Sequence, residues 1–330
     1  MKKILIANFI LALFWTQELH GQTDTLSGGT GKFSARIFGD FKMGLSSSDA
    51  TAFEISRVYL AYEHQITPSL SGEIKLDIGS PEDESQYSLI RRYAYFKTAA
   101  LTYKNKGMTI WLGLFDMLQF KEQENLWDRR YIFKAYMDEY KFGPSADIGV
   151  GMSYRFSETI SADFIMSNGE GYKMLQADRY YKYAAGITWK PGPMIFRAYY
   201  DLTGADIPQM NGAFFTALRL SRFCLAGEGV MQWNYRNYEG YQRYGYSAFS
   251  IYELSEKWEL FARYDQVYSN ILSEETRPWN LGQDGSAVIA GIEYSPKAFL
   301  RFALNYQDWF PYAANSTNYT YLFLNMEFKF

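Results

Sequence analysis

The residues of this 330-residue chain that could do chemistry are charged side chains set at alternate positions in otherwise apolar runs. Bases stand at Arg57, Lys75, Arg155, Lys182, Arg197, Arg219, Arg243, Arg263 and Arg301. Acids stand at Glu73, Asp77, Asp147, Asp163, Asp201, Glu228, Glu259, Asp265 and Glu293. In an extended strand, residues two apart share a face, so these charges gather on one side and the apolar residues on the other. On a lipid-facing side an Arg or Lys at the bilayer midplane would cost about 2 to 4 kcal/mol, so the charged side must line water. Near-equal numbers of bases and acids predict transverse ion pairs that stiffen a wall, and a passage without strong preference for either sign.

Catalysis finds little in the residues. Past the N-terminal segment, His64 is the sole histidine and sits beside a turn, where it reads as an interfacial residue rather than a general base. Cys224 is the single cysteine, so it has no partner for an intrachain disulfide and reads as a small apolar wall residue. Metal sites of the nitrogen and sulfur type need several such ligands. Glu170 between Gly169 and Gly171 lacks the lysine of a phosphate loop. No catalytic residue, cofactor or metal is expected.

The elements that would carry the charges are strands. Leu322, Leu324, Met326, Phe328 and Phe330 alternate with Asn325, Glu327 and Lys329, as in the closing strand of an outer-membrane barrel. Phe330 and Phe328 are therefore the expected signal read by the barrel assembly machinery, and this strand is expected to pair with the first to leave no edge in lipid. Further lipid-facing sets are Leu70, Ile74, Leu76 and Ile78; Ile148, Val150, Met152, Tyr154 and Phe156; Tyr181, Tyr183, Ala185, Ile187 and Trp189; and Leu300, Phe302, Leu304 and Tyr306. Aromatic residues make up 19% of the chain, an excess that suits two interfacial girdles.

At the other end, Lys2 and Lys3 precede an apolar run from Ile4 to Trp15 and a small residue at Gly21. This predicts a secretory signal peptide over residues 1–21, too short to span a bilayer, and a barrel domain over residues 22–330. Loss of Lys2, Lys3 and Glu18 leaves 31 bases against 35 acids, a balance that gives no reason to propose nucleic acid as a partner.

Tight connections are expected near Pro68, Lys106, Glu158, Gly192, Arg222, Glu256 and Pro296. They alternate with longer ones around 46–51, 80–88, 116–145, 169–178, 204–211, 235–240, 269–285 and 310–317. The count gives an all-β, antiparallel up-and-down transmembrane barrel of about sixteen strands. The stretch from Asp116 to Ser145 differs from the other connections. It has no clean alternation but carries Phe120, Trp127, Tyr131, Phe133, Tyr136, Tyr140 and Phe142. A loop so long and aromatic is expected to fold into the lumen and narrow it. Lys121, Asp128, Arg129, Arg130, Lys134 and Lys141 are the candidate constriction charges. Arg57, Lys75, Arg155, Arg197, Arg219, Arg263, Arg301, Glu73 and Asp77 are the candidate lining charges.

The segments FEISRVYLAYEH from Phe53, SGEIKLDIG from Ser71, YKFGPSADIGVGMSYRF from Tyr140 and ISADFIMSNGEGY from Ile160 resemble Bacteroidota porins related to the phosphate-selective porin O and P group. The resemblance implies a sixteen-stranded, trimeric diffusion channel with an inward-folded loop after the fifth strand. It also implies passage of small hydrophilic solutes or ions, anions such as phosphate among them, through the outer membrane. Phosphate-selective members use a ladder of lumen arginines with constriction lysines. The matching positions here are Arg57, Arg155, Arg197, Arg219, Arg263 and Arg301, and every stretch of that ladder has a carboxylate nearby. Fold and porin role are what the resemblance carries over. The alternative is a barrel that serves as anchor, adhesin or assembly partner through its loops.

Overall fold

The computed structural model describes residues 30–45, 51–79, 93–272, 279–313 and 318–330. The leader expected over residues 1–21 lies outside them. Sixteen strands follow one another around a closed ring, each antiparallel to its neighbours. They are β1 (Gly31–Gly44), β2 (Ala52–Thr67), β3 (Leu70–Ile78), β4 (Ala94–Asn105), β5 (Met108–Asp116) and β6 (Ala146–Arg155). β7 (Ile160–Ser167), β8 (Lys182–Trp189), β9 (Met194–Thr203), β10 (Met210–Arg219) and β11 (Phe223–Trp233) come next. β12 (Gln242–Ser255), β13 (Trp258–Ser269), β14 (Gly285–Lys297), β15 (Leu300–Pro311) and β16 (Tyr319–Lys329) complete the ring. No helix among the described residues is long and apolar enough to cross a membrane.

The seam is a regular ladder from Arg36↔Lys329 to Gly44↔Tyr321. It runs to the last residue, where Ala35 and Phe330 exchange both backbone hydrogen bonds, at 2.8 and 3.0 Å. Closure satisfies the outer N–H and C=O groups of β1 and β16, which would otherwise face hydrocarbon.

The outward face sorts by chemistry. Ile148, Val150, Met152, Ile187, Leu225, Leu304 and Leu324 are exposed mid-strand aliphatics. Exposed aromatics gather towards the strand ends, Phe156, Trp189, Trp258 and Phe330 at the end with the tight turns and Tyr181, Tyr244 and Phe310 at the other. Trp258 stacks on Tyr294 at 4.4 Å and Tyr244 on Tyr268 at 5.5 Å, giving two belts around an aliphatic band.

Tight turns form where the chain supplies the right residues. Lys106 and Gly107, both at positive φ (43° and 85°), make the two-residue turn between β4 and β5. The Thr67 hydroxyl accepts from the backbone N–H groups of Ser69 and Leu70, and the Ser157 hydroxyl from those of Thr159 and Ile160. The turn expected at Ser295–Lys297 instead falls at Ala298–Phe299. β14 continues through Pro296, and its register against β15 shifts between Tyr294 and Lys297. A proline at a strand irregularity needs no ladder donor, which is why this one does not end the strand.

Because every strand is hydrogen-bonded on both sides, the refolded protein should run on gels as a compact, fast species without heating and as a slower one after boiling. Its circular dichroism should be β-type. A single mobility under both conditions, or a helical spectrum, would contradict a closed ring.

Candidate functional site

Between β5 and β6, residues 117–145 fold into the barrel. Two short helices, α1 (Lys121–Trp127) and α2 (Tyr136–Glu139), carry the segment. Its aromatic side chains supply the interior core, with Trp127, Tyr136 and Phe142 fully buried. Trp127 packs edge-on to Phe249 and Phe261 of the far wall, with ring centroids 5.2 and 5.8 Å away. Under it the wall is small: Ala217, Ala226, Ala287 and Ala303 belong to the same cluster. Gly245 leaves the room in which the Tyr136 hydroxyl reaches the Gln266 carbonyl at 2.6 Å, since a Cβ there would lie 2.2 Å from that hydroxyl. Burying each large side chain stabilises the docked segment by about 1.5 to 3 kcal/mol.

Polar contacts fasten the segment from end to end. Lys97 joins its two ends, pairing with Asp116 at 3.3 Å and donating to the Ser145 hydroxyl at 2.9 Å. Four wall arginines donate to its backbone carbonyls: Arg197 to Leu118 (3.0 Å), Arg301 to Asp128 (2.9 Å), Arg263 to Lys134 (2.7 Å) and Arg243 to Tyr140 (2.7 Å). From the segment itself, Arg129 pairs with Glu259 and, at 3.3 Å, with Glu293, while the Tyr131 hydroxyl donates to Glu293 at 2.7 Å.

The other side of the segment reaches β2. Arg130 pairs with Glu124 (2.9 Å) and Asp138 (2.5 Å) within the segment and donates to the Tyr59 hydroxyl across the gap at 3.2 Å. Tyr59 also accepts from Arg57 at 3.1 Å; Arg57 pairs with Asp77 at 3.2 Å, and Asp77 accepts from Tyr172 at 2.6 Å. Arg130 borders cavities on both sides of this belt. One of about 640 Å³ opens among Lys32, Lys329 and Phe330 at the tight-turn end, and one of about 380 Å³ among Glu170, Lys173 and Tyr235 at the long-loop end.

The sequence-selected charges therefore separate into groups. Arg57, Asp77 and Arg130 form the belt between the two cavities. Lys75 pairs with Glu73 at 3.0 Å and with Asp116 at 3.6 Å, and lines the tight-turn cavity. Lys134 pairs with Glu139 at 3.5 Å and, with exposed Lys141, lines the long-loop cavity. Lys121 pairs with Glu124 at 3.1 Å and lines the tight-turn cavity with Asp128, which bridges Arg36 and Arg301. Arg129 does not border an opening: it is buried against β13 and β14. Arg197, Arg263 and Arg301 are buried beneath the segment, and Arg155 and Arg219 lie exposed at the tight-turn rim. The six arginines do not make one ladder beside open space.

Sequence reasoning missed Arg36, Lys97 and Glu327. Glu327 is fully buried and holds both Arg36 and Arg301. Its inward position was legible from the closing strand's alternation. Among the described residues no group of three His, Cys, Asp or Glu could hold a metal.

No protein-family model matches the sequence, and no curated protein does. Solved structures match the fold. OmpF of Salmonella typhi, in its complex with daunomycin, aligns with a TM-score of 0.70 at 12% identity, covering 92% of this chain and 98% of that one. The anion-selective porin from Comamonas acidovorans aligns at 0.65 and 10% identity, covering 92% and 100%. The trimer form of OmpT from Vibrio cholerae aligns at 0.62 and 11% identity, again covering 92% and 100%. At these identities the likeness is one of fold: the chain is a sixteen-stranded barrel of the outer-membrane porin type.

Two outcomes follow from the docking. Tyr136→Ala should empty the notch beside Gly245, destabilising the docked segment by about 3 to 5 kcal/mol. Limited proteolysis would show faster cleavage within residues 117–145 while the barrel stays intact; unchanged cleavage would remove the notch argument. Burial raises the pKa of Asp138, but Arg130 and then Lys134 outweigh it and hold the carboxyl below its ordinary 3.8. A depressed carboxylate contributes stability above its unfolded pKa and loses it as pH falls through the folded value, so the Asp138 contribution to docking should be constant down to about pH 4 and be lost only below. Cleavage rates that rise already near pH 6 would contradict this.

Proposed function

We propose that this chain is a passive diffusion porin of the outer membrane, a channel for small hydrophilic solutes or ions that catalyses no reaction. The observation that carries this reading is the pair of polar cavities that open to opposite ends of the barrel and approach each other at Arg130. The belt of Arg130, Tyr59 and Arg57 is the constriction, and the residues fastened to the far wall hold it in place. On this reading a leader over residues 1–21 directs export. The belts face lipid, the tight turns lie at the periplasm and the long loops outside. Phe328 and Phe330 present the closing strand to the assembly machinery. The trimer form of the Vibrio OmpT supports a homotrimer. For phosphate or other anions there is little net charge to draw them, because the bases at the belt are matched by Asp77, Glu124 and Asp138.

A second reading is favoured by the belt itself, which ties the infolded segment to β2 as well as to the far wall. A segment fixed on both sides could plug the barrel and leave an anchor that acts through its loops. Planar-bilayer recording separates the two. A porin shows regular conductance steps, and removing residues 123–137 enlarges them, since a constriction dominates the resistance of a wide tube. Replacing Arg130 and Lys134 together by Gln should shift the reversal potential towards cations, because fixed charge acts most strongly where field lines converge. Arg129→Ala should instead weaken docking by about 3 to 5 kcal/mol, since it leaves Glu293 buried without this partner. Absence of steps in the wild type and their appearance on shortening would establish the plug.

A further inference from the structure

The inward face of β16 changes character halfway along. Glu327 and Asn325 are followed by Phe323, Tyr321 and Tyr319, all at the same inward parity. Successive ring centroids lie 5.6 and 6.3 Å apart. Trp309 of β15 is paired in register with Tyr319, and Tyr140 of the infolded segment stacks on Trp309 at 6.0 Å and 30°. With Phe133 these rings line a cavity of about 620 Å³ on the long-loop side. Interfacial belts do not account for them, because these rings face the lumen. Packing alone does not account for them either, because a space remains between them.

The polar groups lining the same space are few. Lys42 stands 5.8 Å from the Tyr321 ring, and Glu139 pairs with Lys134 at 3.5 Å; Gln283 and Gln307 contribute amides. The second acid, Asp308, already accepts from the Tyr306 and Thr320 hydroxyls, so one base, two acids and two amides leave at most a small net charge and no field that would concentrate an ion. Tyr140 adds a buried hydroxyl with no hydrogen-bond partner among the described residues, which a solute hydroxyl or water can satisfy.

We infer that this vestibule is a binding site for a neutral oligosaccharide, with successive sugar rings lying on Tyr321 and Phe323 and their hydroxyls bonded by the surrounding amides, Lys42 and Glu139. A pyranose offers a C–H face and a rim of hydroxyls, and this lining offers the complements of both: flat aromatic faces and a few hydrogen-bond donors and acceptors. Alternate residues on a strand lie about 7 Å apart, so the rings form a row that suits linked sugars better than a single one. The inference rests on the channel reading, because the vestibule lies on the way into the barrel. It names the solute class that the channel would favour.

The test uses the full refolded protein in a planar bilayer, with maltotriose or cellotriose added on the long-loop side and polyethylene glycol of matched size as control. The expected result is saturable current interruption by at least one of the two sugars and none by the polymer. Tyr321→Ala with Phe323→Ala should weaken the half-saturating concentration roughly tenfold, as expected when stacked rings are lost, while Tyr321→Phe keeps it. Equal interruption by sugar and polymer, or an unaltered double variant, would overturn the inference. Should the protein form no channel, the porin reading fails separately. Titration calorimetry in detergent with the same sugars then decides the site: heat from the wild type that falls at least fivefold in the double variant supports it, and no heat with either sugar refutes it.

Discussion

A chain segment that enters a lumen must find partners there for its own N–H and C=O groups, and the design of this barrel follows from that requirement. α1 and α2 are too short to satisfy more than part of residues 117–145 internally. The wall supplies the remainder through arginine. Its guanidinium is a planar fork with five donors, so one edge can hold a carboxylate while another bonds a carbonyl. Arg197 does this with Asp163 and Leu118, Arg263 with Asp265 and Lys134, and Arg301 with Glu327 and Asp128. Lysine, a compact point charge, could not span both. The aromatic half of the requirement is met by wall positions reduced to Ala or Gly, which leave depth for Trp127 and Tyr136.

Electrostatics inherits this arrangement. Charges that look from the sequence like a selectivity device are mostly committed to structure: Arg263 pairs with Asp265 on its own strand, Arg57 with Asp77 and Arg301 with Glu327 on neighbouring strands, and Arg197 with Asp163 across β8. What reaches the gap between the cavities is an alternating line of Tyr172, Asp77, Arg57, Tyr59 and Arg130. Such a line presents local dipoles rather than a net potential. On the proposed channel reading, it selects through hydrogen bonding and shape more than through the sign of a solute's charge.

Much of the fold could be read from the residues because membrane barrels obey a strict period of two. The outward sets on β6 and β8 and the closing alternation on β16 are unbroken, so strand number and seam followed from counting turns. Legibility failed where that period carries no information. Pro296 reads as a turn because a proline usually leaves a ladder, yet an irregular pair lets the strand continue past it. Arg129 and Arg130 are adjacent and chemically alike, and only the tertiary path of the segment sends one to β13 and β14 and the other to β2. Tyr319, Tyr321 and Phe323 went unnoticed because both faces of β16 are apolar there. The signal that β9 to β15 receive a packed segment was present in Ala217, Ala226, Gly245, Ala287 and Ala303, small residues at inward positions where a water-filled wall has no need of them.

The seam and the docked segment also set an order of events for the growing chain. Residues 117–145 follow Tyr59 and Lys97 but precede their arginine anchors in the sequence: Arg197 comes some fifty residues after the segment ends, and Arg301 comes near the far end of the chain. Until β15 and β16 are in place, the carbonyl of Asp128 lacks its guanidinium, and Arg36 lacks Glu327. The last strand therefore serves two structures at once: its backbone ladder with β1 closes the ring, and its Glu327 holds Arg301, one of the anchors of the segment within. A chain halted before this point would have both an open edge and an interior segment held by Arg197, Arg243 and Arg263 but without the Arg301 contact.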